Sequence, residues 1–349
     1  MDWETVLREL CCAAGVGGQN EAAQVAAGYL RDYCDEVTVD ALGNVLGVRR
    51  CGREQAPAIL LEAHIDEVGY LVTGVDTDGF VRVTKCGGAD LRTAPASEVI
   101  VWGDQPYSGV ICSTPPHLSK GETGKKFPEA DHLGIDVGMD AQEAAKHIHP
   151  GDRVSFRPVF QRMAGDAVCS KSLDDRAGVA SVLGCLSLLK GKELPCDVYA
   201  AFCVQEELGC RGVSAAAFGI APDGAIAVDV SFADAPGEKA EKCGKLAGGP
   251  MIGRAPGLPY RLSDRLEQLA KKHDIPYQTE VMGDDTGTDA DNLVSSRAGV
   301  PTALLSIPLR YMHCLLYTST ACGIRWLRNM DRRERMSFSA VRGWRRGKA

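Results

Sequence analysis

Two kinds of hydrophobic pattern alternate along the 349-residue chain. The first is nearly continuous: AILLEA, DVYAAFCVQ, GAIAV and PTALLSIPL are short apolar runs with no polar side, as expected of strands covered by helices on both faces. Stretches with helical spacing lie between them. EAAQVAAGYLRDYC follows Asn20 as a candidate cap, YRLSDRLEQLAKKH is amphipathic, and DDRAGVASVLGCLSLLK sets Val179, Val182, Leu183, Leu186 and Leu189 on one helical face. VTVDALGNVLGVRR reads as strands. The second pattern occupies residues 68–161, where short β runs follow one another: GYLVTGV and FVRVTKC joined by the turn DTDG, then EVIVWG, SGVICS and DRVSFRPVF, with DAQEAAKHI as the clear helix. The prediction is an α/β fold built from residues 1–67 and 162–313 and interrupted by a smaller β-rich domain at 68–161. Residues 314–349 form a separate, atypical tail.

Composition narrows the setting. Hydrophobic residues make up 45% and charged residues 24%, ordinary values for a soluble globular protein. MDWETVLREL has acids within four residues and no continuous apolar stretch, so neither a signal peptide nor a membrane span is expected, and the cytoplasm is the expected compartment. The fourteen cysteines are scattered through apolar runs with no CxxC pair, which fits reduced, buried thiols. A net charge of −7 argues against nucleic acid as a partner.

The chemistry collects where apolar runs stop. AILLEA leads to His64, DVYAAFCVQ to Glu206 and Glu207, GAIAV to Asp229, and PTALLSIPLRYM to His313, while Asp174 and Asp175 open a helix. Ligands of doubly covered parallel sheets gather outside the carboxyl ends of the strands, so these groups are expected at one edge. Imidazoles and carboxylates crowded together there need a counter-charge, since burying a lone carboxylate costs several kcal/mol or neutralises it. Divalent cations meet that need. A mixed His/carboxylate set suits Zn²⁺, with Co²⁺ or Mn²⁺ as alternatives, and paired cations serve hydrolysis by activating a water and stabilising the oxyanion. Glu206 and Glu207, adjacent on an extended segment, are expected to point apart and divide into base and ligand. Asp66, two residues after His64, is expected to receive its second ring N–H.

AHIDEVG, KSLDDRAG, VQEELGCRG, AVDVSFADAPG, GTDADN and IPLRYMH, in this order, resemble the glutamyl-aminopeptidase family of dinuclear metallo-aminopeptidases, which includes the tetrahedral (TET) and deblocking enzymes. The resemblance reaches from near the N-terminus to His313. It implies two divalent metal ions per subunit, one held by His64, Asp174 and Asp229, the other by Asp174, Glu207 and His313, with Glu206 as the general base. It also implies a metallopeptidase-type αβα sandwich for the α/β portion, release of N-terminal residues from peptides, a dimerisation role for the β-rich insert, and homo-oligomers in which dimers build a dodecamer. Asp289, in GTDADN, is a candidate substrate contact. Rivals compatible with the same residues are a dinuclear deacylase or carboxypeptidase, an endoglucanase-type glycosidase using paired carboxylates, and an inactive oligomeric shell.

Other features carry less. His147 and His149 form an HxH at the end of a charged helix and read as a solvated terminus, His117 and His132 as insert loops, and His273 as a helix end. The tail departs from the family pattern after His313, where relatives continue with Ser-Pro and an acidic helix. From Cys314 onward nine Arg or Lys face two acids, a balance of +7 that leaves −14 for residues 1–313. The reading is a shifted or chimeric frame, with a basic binding arm as the alternative, and it implies weakened support for His313.

Overall fold

The computed structural model describes residues 2–18, 20–112, 130 and 133–314, together with the backbone of residues 317–320. His117, His132 and nearly all of the basic tail lie outside the described residues. The chain opens with α1 (Trp3–Cys12), α2 (Asn20–Leu30), β1 (Glu36–Val39), β2 (Val45–Arg49) and β3 (Ala58–His64). Strands β4 (Gly69–Val75), β5 (Val81–Cys86), β6 (Glu98–Trp102), β7 (Pro106–Cys112), β8 (Gly134–Asp136) and β9 (Arg153–Phe156) follow, with α3 (Ala141–His147) between the last two. Next come β10 (Phe160–Arg162), β11 (Ala167–Ser170), α4 (Leu173–Leu189), β12 (Asp197–Cys203), α5 (Arg211–Ile220) and β13 (Gly224–Phe232). β14 (Met251–Arg254), α6 (Tyr260–Lys272), β15 (Gln278–Val281), α7 (Asp289–Ser295), β16 (Thr302–Leu309) and β17 (Tyr317–Thr320) complete the order.

Eight strands form one sheet in the order β1-β2-β12-β3-β13-β16-β14-β15, and its centre, β12-β3-β13-β16, is parallel. The apolar runs without a polar side are these central strands. On β3, Ile59, Leu61 and Ala63 join the core shared with α1, α2 and α4, while Leu60 joins the opposite core shared with α5 and α7. A strand covered on both faces has nowhere to place a polar side chain until it emerges at the sheet edge, and β3 emerges at His64. The α/β fold interrupted by a smaller domain is therefore present.

The interruption is a closed barrel, ordered β4-β5-β8-β7-β6-β9, filled by Tyr70, Val83, Val101, Ile111, Ile135 and Val154 among others. Closure removes exposed sheet edges. Tyr70 meets Phe156 edge to face, with ring centroids 5.6 Å apart.

Several elements differ from the pattern reading. The helix expected to reach Cys34 stops at Leu30, because the N–H groups of Tyr33 and Cys34 both bond back to the Leu30 carbonyl and release Asp35 to pair with Val48. β17, from the first residues of the tail, pairs antiparallel with β11 and completes a small sheet, β10-β11-β17.

Candidate active site

His64 ends β3 between two strands that supply further ligand groups. Asp229 lies inside β13, two residues past Ala227, which pairs with Glu62, just as His64 lies two past Glu62; the two side chains are thus level on neighbouring strands. His64 Nε2 is 2.9 Å from Asp174 Oδ1, 3.8 Å from Asp229 Oδ1 and 3.9 Å from Glu206 Oε2. His313, beyond β16, points its Nε2 at Glu207 Oε2 (3.3 Å) and at Asp174 Oδ2 (3.5 Å). The two oxygens of Asp174 therefore face two different imidazoles. Ligand atoms of His64, Asp174 and Asp229 lie within 4.8 Å of one another, as do those of Asp174, Glu207 and His313.

Asp174 is set by what precedes and follows it. Ser172 is left-handed (φ 58°), and the Asp174–Asp175 peptide is cis. Behind this turn Lys171 Nζ lies 2.7 Å from Glu67 Oε2, both side chains almost wholly buried, and the Ser172 hydroxyl donates to the same carboxylate. Glu67 also accepts the Gly15 N–H at 2.8 Å. Arg176, fully buried, donates to the Leu10 carbonyl at 2.6 Å, and Asp175 Oδ1 accepts the Gly178 N–H at 2.9 Å. A side chain at Gly15 would run into the Arg176 guanidinium.

The loop after β12 carries Glu206 and Glu207, and here the expected reasoning fails. Both lie beyond the strand, whose last residue is Cys203, and Gln205 is left-handed (φ 62°), so strand alternation does not separate them. Their carboxylates and His64 form a further group within 4.8 Å. Asp66 is fully buried; its Oδ1 is 3.4 Å from His64 Nδ1 and accepts the Glu206 N–H at 3.0 Å, so one carboxylate touches both.

Electrostatics follow the crowding. Burial pushes the Glu206 carboxyl up to about 7, with Glu207, Asp289 and Asp174 adding to the rise and His64 opposing it. Burial likewise lifts Asp229 well above the usual carboxylate range against the pull of His64. Burial works against the Asp174 carboxylate too, but hydrogen bonds from His313 and His64 hold it below that range. Hydrogen bonds to Asp174 and Glu207 raise His313 to about 10. For His64, burial opposes the charge, yet Glu206, Asp174 and Asp66 raise it well above its ordinary value. Two imidazoles and three carboxylates at these separations, the innermost of them 2–6% exposed, are a donor set that fits a pair of divalent cations. Protons retained by the crowded carboxyls and imidazoles are what such cations displace.

The remaining candidates fall elsewhere. Asp289 is 2% exposed and sits with Glu62 and Cys203 beneath the cluster, its carboxylate oxygens shut off from solvent. This burial gives no support to Asp289 as a substrate contact. His147 pairs with Asp104 (2.8 Å) and Glu143 (3.3 Å) on the barrel domain rather than with His149. The pattern reading missed Asn44, a buried side chain that accepts the Val204 N–H and donates to the Gly212 carbonyl, both at 2.9 Å, at the foot of the Glu206 loop. It also missed Gly88, whose lack of a side chain makes room for the His313 ring. An asparagine between two strand-like runs reads as a turn residue, and no local pattern marks a glycine that faces a histidine 225 positions later.

The M42 glutamyl aminopeptidase family matches residues 43–321, which carries the family pattern past His313 and through β17, further than the departure expected from the sequence. Lysyl aminopeptidase from Pyrococcus furiosus is 34% identical over 323 residues, covering 90% of each chain. A TET aminopeptidase from a marine-sediment Thaumarchaeota archaeon is similar in structure, with a TM-score of 0.89, 29% identity and 98% of each chain covered. So is the Pyrococcus horikoshii TET1 peptidase, described as able to assemble into a tetrahedron or a large octahedral shell (TM-score 0.83, 29% identity, 95% of this chain and 98% of that one). Among the described residues no helix is long and apolar enough to cross a membrane. This chain belongs to the M42 glutamyl aminopeptidase family and is a peptide hydrolase.

Proposed function

We propose that the chain is a dinuclear metallo-aminopeptidase that removes N-terminal residues from peptides. The observation that carries this reading is Asp174, one oxygen 2.9 Å from His64 and the other 3.5 Å from His313, the arrangement a carboxylate shared by two cations requires. His64, Asp174 and Asp229 would hold one ion and Asp174, Glu207 and His313 the other, with Zn²⁺ the best match and Co²⁺ or Mn²⁺ alternatives. When bound, such a pair supplies an activated water and stabilises the oxyanion of the tetrahedral intermediate.

The chain's own groups do the rest. Glu206 takes the proton of the attacking water and returns it to the leaving amine; its carboxylate lies 3.9 Å from His64 Nε2 and groups with His64 and Glu207 within 4.8 Å, beside both proposed cation positions. Asp66 holds the imidazole of His64 and the backbone of Glu206 in fixed relation. The barrel domain is the surface for dimerisation, and dimers assemble further into a dodecameric homo-oligomer that admits peptides. The cytoplasm is the compartment that fits the cysteines left unpaired among the described residues.

The test is Glu206→Gln, assayed with free-amine peptides after loading with each cation. The expected result is a loss of about 10²- to 10⁴-fold in kcat with cation content unchanged. A variant as fast as the parent refutes the base. Amino-acid p-nitroanilides set against N-acyl substrates and cellulose separate this activity from deacylase, carboxypeptidase and glycosidase readings.

A further inference from the structure

The GTDADN segment, residues 287–292, belongs to neither cation group. It packs instead on the loop that carries Glu206. That loop has left-handed backbone at Gln205 (φ 62°), Gly209 (φ 105°) and Cys210 (φ 54°), and for the two non-glycine residues this conformation needs support from outside.

The supports are distributed along the loop. Asn44 pins its foot at Val204 and Gly212, and Asp66 receives the Glu206 N–H. On the far side Asn292 Nδ2 donates to the Cys210 carbonyl at 2.7 Å. The neighbours of Asn292 in the motif are engaged locally: the Thr288 hydroxyl accepts the Ala290 N–H, and Asp291 accepts those of Thr286 and Gly287. Asp289 is buried, with its carboxylate within 4.8 Å of the Glu62 carboxylate and the Cys203 thiol. These contacts point the motif at the loop rather than at an open cleft. The Cys210 thiol in turn lies 3.6 Å from Glu206 Oε1. Burial, with Asp289 and Glu206 nearby, lifts this thiol far above its usual range, so it remains an S–H donor.

We propose that Asn292 and Cys210 are positioning residues for Glu206: α7 braces the loop by fixing the Cys210 carbonyl through Asn292, and the Cys210 thiol steadies the Glu206 carboxylate. This inference rests on the reading of Glu206 as the base. Both residues are only partly buried, so their truncation leaves the fold intact.

The experiment compares Asn292→Ala, Cys210→Ala and Cys210→Ser with the parent enzyme. Each alanine variant should lower kcat about 10-fold, the low end for residues that orient a catalytic group. KM, cation content and melting temperature should stay at parental values, and Cys210→Ser, which keeps a donor, should recover most of the rate. A raised KM at unchanged kcat would make the motif a substrate contact and overturn the proposal, as would parental kcat in both alanine variants. Amide hydrogen exchange gives a readout independent of turnover. The Gly209 and Cys210 amides, bonded to the Glu206 carbonyl at 2.8 and 3.0 Å, should exchange faster in Asn292→Ala. Unchanged exchange there sinks the brace, whereas faster exchange in an enzyme without aminopeptidase activity removes only the role of Glu206.

Discussion

Gly88→Ala isolates the contribution of the barrel domain to the candidate active site. Gly88 is exposed and its backbone is not left-handed, so alanine is tolerated by the chain itself. The one obstacle is across the domain boundary: a Cβ at this position would stand 2.5 Å from His313 Nδ1 and 2.9 Å from its Cε1. Ordinary contact begins near 3.4 Å, so the ring must retreat by the difference, about 0.9 Å. The His313 ring can retreat because its side chain is 35% exposed, while the Asp90 N–H, bonded to the His313 carbonyl at 3.1 Å, keeps its backbone in place. Retreat lengthens the 3.3 and 3.5 Å approaches to Glu207 and Asp174. Displacements of about 1 Å at a catalytic site cost on the order of 10²-fold in rate, and lost support of a ligand costs about 10- to 100-fold in metal affinity. The assay pairs cation stoichiometry by plasma mass spectrometry with kcat/KM, using Gly283→Ala, a position with open space around its Cα, as control. The expected outcome is one weakly held cation and a loss of about 10²-fold at an unchanged melting temperature. Full cation content together with parental kcat/KM would show that the ring is not placed by this wall.

Further outcomes follow from the same geometry. Glu67→Gln leaves the Lys171 ammonium buried without its counter-charge and should destabilise the fold by about 3–5 kcal/mol in urea titrations; a loss below 1 kcal/mol would mean the pair is not isolated from water. Burial opposes the Glu67 carboxylate, but Lys171 and Arg176 hold it below its ordinary value, so its contribution is complete above the unfolded value near 4.3 and fades as pH falls through the lower folded one. Melting temperature against pH should therefore drop less steeply on the acid side in Glu67→Gln than in the parent. Phe202→Ala, at a fully buried position on β12, should cost about 3–5 kcal/mol. Exhaustive chelation should abolish peptide hydrolysis, with Zn²⁺ or Co²⁺ restoring it; activity that persists would exclude the paired-cation reading. Truncation after residue 321, where the family match ends, should leave folding and hydrolysis at parental levels, and a loss would give the basic tail a role of its own.

What could be read from the chain depended on whether a feature is local. The two-faced burial of β3, β12, β13 and β16 writes itself into sequence as unbroken apolar runs, so the layered α/β core and the edge where its polar groups emerge are legible in the sequence. His64, Asp174, Asp229, Glu207 and His313 were found because each follows or opens such an element, and the structure brings them together. Three things escaped. The geometry of Glu206 and Glu207 did, because strand alternation was extended four residues beyond Cys203 into a left-handed turn. The depth of Asp289 did, since a Thr-Asp pair that starts a helix looks solvated unless the Glu62 carboxyl two residues before His64 is known to lie against it. The supports did as well: Asn44, Gly88 and Asn292 act on residues roughly 80 to 225 positions away, and no periodicity records such a pairing.

The groups proposed to hold the cations span the chain from position 64 to position 313, and the Asp174 carboxylate lies 2.9 Å from His64 and 3.5 Å from His313, near both ends of that interval. A polypeptide emerging from the ribosome consequently carries an incomplete centre until its final portion is made and folded back. Fragments that stop short of position 313 therefore lack one of the groups proposed to hold a cation, so hydrolytic power should appear only late in synthesis.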